Sequence, residues 1–125
     1  HQFLDLCSEL RVSLVCVTIG SPYYNPHVTR PAYHPALDGY LPPREPLAEV
    51  AYHLETTAAL TRAHPDLVLI GSGYSYLQEL LPNAAQYQVR TGGAGMVGIG
   101  RMALSYPSLP ADVLAGRPID TKKLF

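Results

Sequence analysis

Val12-Ser13-Leu14-Val15-Cys16-Val17-Thr18-Ile19, cut off by Gly20-Ser21-Pro22, decides the fold class. A strand with one face in water would alternate apolar and polar residues, whereas this run is apolar or β-branched almost throughout. Such a run marks a parallel strand covered by helices on both faces. The signature returns at Leu67-Val68-Leu69-Ile70, ending in Gly71-Ser72-Gly73, and again at Met96-Val97-Gly98-Ile99, ending in Gly100-Arg101.

Helical patterns separate the strands. Phe3, Leu6, Cys7 and Leu10 follow the i, i+3, i+4, i+7 rule and predict a helix ahead of the first strand, with that stripe turned inward. Pro46–Ala63 reads as a second helix with Leu47, Val50, Ala51, Leu54 and Ala58 on its inner face. Pro46 suits the first turn, and His64-Pro65 stops the helix because proline forces its predecessor out of the α region. Residues 76–81 and 83–90 predict helix broken at Pro82, and residues 110–115 a short helix ended by Gly116. The order α-β-α-β-α-β-α predicts an α/β fold of about three parallel strands with flanking helices.

The 125 residues, 47% of them hydrophobic, suit one domain covering 1–125. Nine Lys+Arg against ten Asp+Glu supply no positive footprint for nucleic acid or an anionic membrane. No apolar run approaches the roughly 18 residues of a membrane span, so a soluble, cytoplasmic protein is expected. Cys7 and Cys16 read as small buried apolar residues rather than as a disulfide framework. The chain opens at His1 without a methionine, on a helix with no cap before it, which reads as a segment of something longer.

Residues 20–45 break the regular spacing. Pro22, Pro26, Pro31, Pro35, Pro42 and Pro43 remove backbone donors and predict no regular element. The stretch also carries Tyr23, Tyr24, Tyr33, Tyr40, His27, His34, Arg30 and Arg44. A loop this long is either a rigid surface connection or a binding loop, and its place after a parallel strand favours binding. Tyr23 and Tyr24, with flat faces suited to planar ligands, are the candidate substrate contacts.

Glycines at two consecutive strand ends point to an anion site. Gly71, Ser72 and Gly73 on one side and Gly100 on the other bring backbone close to a ligand, and Arg101 adds a forked, permanent cation. In (β/α)8 barrels a phosphate commonly sits between the loops after strands seven and eight. His27 and His34 have no Cys or carboxylate at ligand spacing, so no metal site is expected. His53 and His64 read as solvated or capping residues of the long helix. There is no Gly-x-Ser-x-Gly elbow and no residue that presents itself as a nucleophile, which leaves a cofactor to carry any hard chemistry.

Three blocks carry a family likeness. Gly20-Ser21-Pro22-Tyr23-Tyr24-Asn25-Pro26-His27, with Arg30-Pro31-Ala32, Asp38-Gly39-Tyr40 and Pro42-Pro43, resembles the loop after the sixth barrel strand of NADH:flavin oxidoreductases of the old yellow enzyme family. Ile70-Gly71-Ser72-Gly73-Tyr74-Ser75 and Val97-Gly98-Ile99-Gly100-Arg101-Met102-Ala103-Leu104-Ser105-Tyr106-Pro107, closing with Leu109-Pro110-Ala111-Asp112, are similar to the seventh and eighth strand ends. Gly95 departs from the acidic residue often found before the eighth strand. The resemblance implies the C-terminal part of an FMN-binding (β/α)8 TIM barrel, strands six to eight, incomplete as it stands. It further implies hydride transfer from NADH or NADPH through FMN to an electron-poor alkene or related acceptor. Gly71, Ser72, Gly73, Gly100 and Arg101 would then hold the FMN phosphate, while the family's ring-edge, substrate-anchoring and proton-donor residues come from earlier strands. A barrel of roughly 250 residues would need the rest of its strands or a self-associating copy, and this chain alone is expected to be inactive. The alternatives are a phosphate-binding barrel lyase or aldolase and a piece with no catalysis of its own.

Overall fold

The computed structural model describes residues 1–32 and 40–124, so Tyr33, His34, Pro35, Asp38 and Gly39 of the long loop lie outside the described residues. Helix α1 (Gln2–Glu9) leads into strand β1 (Leu14–Cys16), and a single turn, α2 (Pro26–Thr29), interrupts the loop. Helix α3 (Pro46–Ala63), strand β2 (Val68–Gly71), a 3-10 helix (Tyr74–Leu80) and helix α4 (Leu81–Arg90) follow. Strand β3 (Met96–Val97), helices α5 (Met102–Ser105) and α6 (Leu109–Leu114) and a 3-10 turn (Thr121–Lys123) complete the chain.

The three strands form one parallel sheet in the order β1-β2-β3, with Leu14 opposite Val68, Cys16 opposite Ile70 and Ile70 opposite Met96. This is the expected α/β arrangement, and β1 and β3 are its edges. Among the described residues, helices cover one face only. Val15 and Val17 pack with Leu4, Cys7, Leu67 and Leu69, while Val97 and Ile99 pack on a second cluster of Tyr74, Leu81, Met102, Tyr106 and Leu109. On the other face Leu14 and Met96 are each about half exposed and Val68 and Cys16 are open to solvent. Burial on both faces is thus not met among the described residues, where Leu14, Cys16, Val68 and Met96 reach solvent. The reading of Cys16 as buried fails for the same reason; Cys7 is buried.

Several helical expectations change in detail. In α1 the inward residues are Leu4 and Cys7, and Phe3, Leu6 and Leu10 face solvent because only the Leu4 side meets β2 and Leu67. In α3 Val50 and Ala58 are buried as expected, but Leu47 and Ala51 are exposed, and the inner face also carries Glu49, His53 and Thr57. Glu49 tolerates that burial because its carboxylate is paired. Arg44 donates from Nε and Nη2 to the two carboxylate oxygens of Glu49 at 2.8 and 2.9 Å. The break before α4 falls at Gln78 (φ 50°, ψ −119°) rather than at Pro82, which sits harmlessly in the first turn of α4. The single turn of α2 shows that prolines in residues 20–45 permit a helix start at Pro26.

Gly116 (φ 65°) ends α6 as expected: its N–H reaches Val113 O at 3.1 Å, and Arg117 N reaches Asp112 O at 2.9 Å. A side chain at Gly95 would meet Val68 Cγ1 at 2.8 Å, so close approach to β2 accounts for the glycine there.

Candidate functional site

A pocket of about 290 Å³ opens beyond the C-terminal ends of the strands. Its floor is made by residues that share the helix-free face: Cys16 and Thr18 from β1 and its extension, Ser72 after β2, and Gly98 and Gly100 after β3. Thr29, Arg30 and Pro31 form one wall, and Gly73, Ser75 and Tyr76 form the other. Ile99 and Arg101 close the β3 side.

Backbone and side-chain bonds lock these segments together. Val17 N donates to Ile70 O at 2.9 Å and Gly98 N to Gly71 O at 2.8 Å, carrying both ladders past the strand ends. Ser72 Oγ donates to Val17 O at 2.6 Å. On the loop side Thr29 Oγ1 donates to Ile19 O at 3.1 Å, which holds the end of α2 against the end of β1.

The structure brings Ser72, Gly73, Gly100 and Arg101 into this one pocket and leaves Gly71 out of it. A methyl at Gly71 would lie 3.1 Å from Tyr74 Oη and 3.4 Å from Thr57 Cγ2, so that glycine makes room for helix-side packing. Gly73 is held at φ +92°, a conformation L side chains rarely adopt, and it starts the 3-10 helix. Around Gly100 a Cβ would meet nothing within 4 Å, which leaves that side open to an incoming group.

Arg30 is the site residue that sequence reasoning did not select. Its signal was an arginine directly before a proline in a loop following a parallel strand, but its place depends on α2. The Arg101 guanidinium is held below its ordinary range, first by partial burial and then by the positive charge of Arg30. Two cations sharing one pocket repel each other, and an anion between them relieves both the repulsion and the desolvation.

Tyr23 and Tyr24 are not brought to the pocket; they stand 89% and 91% exposed on the turn before α2. His53 and His64 are buried, so the solvated reading fails, while His64 does occupy the C-cap of α3, its backbone N–H reaching Leu60 O at 3.0 Å. His53 donates toward Val28 O at 2.6 Å, and His64 lies against His1, with Nε2 3.1 Å from His1 Nδ1 and Nδ1 3.6 Å from Asp5 Oδ1. Burial pushes the Tyr74 phenol up, away from ionisation. Among the described residues no group of three His, Cys, Asp or Glu could hold a metal ion, and no helix is long and apolar enough to cross a membrane. No protein-family model matches the chain, and no significant match is found among curated proteins or solved structures.

Proposed function

We propose that this pocket is the phosphate end of an FMN site in a cytoplasmic oxidoreductase resembling the NADH:flavin oxidoreductases. The observation that carries the reading is the convergence of Arg30 and Arg101 with Ser72, Gly73, Gly98 and Gly100 at the C-terminal ends of parallel strands. A volume of about 290 Å³ lies at the low end for small-molecule sites, which suits a phosphate and the start of the ribityl chain rather than a whole flavin. In this reading the sheet is part of a (β/α)8 barrel. The apolar face left open by Leu14, Val68 and Met96 is the one that would look into the barrel, toward strands supplied by the rest of the protein or by a copy.

The chain's own residues bind and orient. Arg101 and Arg30 neutralise the phosphate charge, Gly100 lets it approach the backbone, and Ser72 keeps the β1 and β2 ends in register through Val17. FMN, when bound, supplies the ring that accepts hydride from NADH or NADPH and passes it to an electron-poor alkene or related acceptor. Tyr23 and Tyr24, outside the pocket lining, would offer flat, accessible faces to the nicotinamide or the acceptor.

The test is a flavin fluorescence titration of the chain with FMN and with riboflavin, which differ by the phosphate alone. FMN should bind about tenfold or more tightly than riboflavin, and inorganic phosphate should compete, as charge-assisted contacts predict. Equal binding of the two flavins, or binding of neither, would remove the reading. A pocket that takes a sugar phosphate and rejects FMN would favour a barrel lyase or aldolase instead.

A further inference from the structure

His53 is a buried titratable side chain that lies outside the pocket lining yet touches what builds both of its walls. It is 1% exposed, on the inner face of α3. On one side its Nε2 lies 2.6 Å from Val28 O, and because a carbonyl only accepts, that nitrogen carries the proton. Val28 belongs to the four-residue helix α2, whose last carbonyls have no intrahelical donors to take them up. The imidazole therefore caps α2 two residues before Arg30. On the other side the ring lies directly beneath Gly73: a methyl there would stand 3.1 Å from His53 Cγ and 3.4 Å from Nδ1.

We infer that His53 is a positioning residue that sets the width of the anion pocket, tying the Arg30 wall to the Gly73 wall through α3. The inference rests on the reading of the pocket as an anion site. A space-filling role alone would be served by an apolar side chain. Here Nδ1 is buried with no hydrogen-bond partner among the described residues, an unfavourable arrangement that leucine would avoid. The bond to Val28 accounts for the presence of an imidazole. A Cβ at position 73 would press on the same ring, adding to the φ of +92° that already favours glycine there.

The test compares His53→Leu, which keeps the bulk, with His53→Gln, which restores a side-chain N–H donor. Inorganic phosphate affinity of the full chain is measured by calorimetry, and backbone deuterium exchange is followed over residues 28–31 and 73–75. His53→Leu should lose about tenfold in phosphate affinity, with faster exchange in both segments together, and His53→Gln should recover most of both. Unchanged phosphate affinity in His53→Leu, or equal losses in the two variants, overturns the inference. If the wild-type chain binds no phosphate while exchange in both segments still rises together in His53→Leu, the anion reading falls and the link between the walls stands. Should His53→Leu fail to fold, deuteration of imidazole Cε1 in the wild-type chain decides: slow exchange fits a clamped ring, and exchange as fast as in a solvent-exposed histidine overturns it.

Discussion

The hydroxyl of Ser72, one residue past β2, donates to the carbonyl of Val17, one residue past β1, across 2.6 Å. A side chain thereby takes up a strand-end carbonyl where the two backbones separate to form the pocket. Ser72→Ala should cost about 1 kcal/mol, the net worth of one hydrogen bond, and lower the thermal midpoint by roughly 4 °C. Circular dichroism melting reads this out, and an unchanged midpoint would mean that the bond adds nothing to the fold.

Arg30 and Arg101 are expected to share one anion. Charge-assisted contacts contribute ~1.5–3 kcal/mol when buried, and both arginines are open to solvent, so each change to Ala should weaken FMN retention by about tenfold. Losses on the same phosphate are coupled, so the double variant should lose less than the product of the single losses. Stopped-flow reduction of FMN-saturated Arg101→Ala in the proposed oxidoreductase should keep its rate, and a large fall in rate at unchanged FMN affinity would contradict the assignment.

Replacing Tyr23 and Tyr24 together by Ala should leave folding within about 0.5 kcal/mol of the parent, since both side chains already stand in water. FMN affinity should also hold. The expected effect is a raised KM for the nicotinamide or the acceptor in the proposed oxidoreductase, and unchanged KM values for both would return the turn to a structural role.

Asp112 gives the fold a defined acid sensitivity. The Tyr106 hydroxyl, then the Arg117 guanidinium, hold its carboxyl below the ordinary carboxylate range, and Ser108 Oγ adds a bond at 3.2 Å. A carboxyl depressed in the folded state stabilises fully above its unfolded value and loses that stabilisation as pH falls through the folded one. Asp112→Asn should therefore be less stable than the parent near neutrality, and the gap should close below the ordinary carboxylate range. Denaturant melts at a series of pH values measure it; a constant gap down to about pH 2 would rule the linkage out.

The chain by itself should not remain a lone monomer or turn over NADH. The open face of Leu14, Val68 and Met96 and the two edge strands β1 and β3 together form an apolar surface with unpaired strand edges. Size-exclusion chromatography should give a species larger than the 13.6 kDa chain, and NADH oxidation with added FMN should stay at the blank. A stable monomer that oxidises NADH would overturn the reading of the chain as part of a larger barrel.

The local pattern of the sequence placed the three strands and the longer helices, but not the single turn of α2 or the break at Gln78. Apolar runs ended by glycine placed β1, β2 and β3, Pro46 and the His64-Pro65 pair bounded α3, and Gly116 ended α6, all through preferences of neighbouring residues. The glycine-bearing strand ends also marked Ser72, Gly73, Gly100 and Arg101, because parallel register sets consecutive strand ends side by side. Only the tertiary structure decided which faces are buried and which side chains meet. Periodicity along α3 favoured Leu47 and Ala51, yet Glu49 and His53 went inside, since their partners make burial affordable: Arg44 for Glu49, and for His53 the carbonyl of Val28, 25 residues away. The meeting of Arg30 with Arg101, and the turning of Gly71 away toward Tyr74, depend in the same way on contacts between distant segments. Local periodicity is blind to such contacts because it records a residue's own preference and not what the folded chain brings against it.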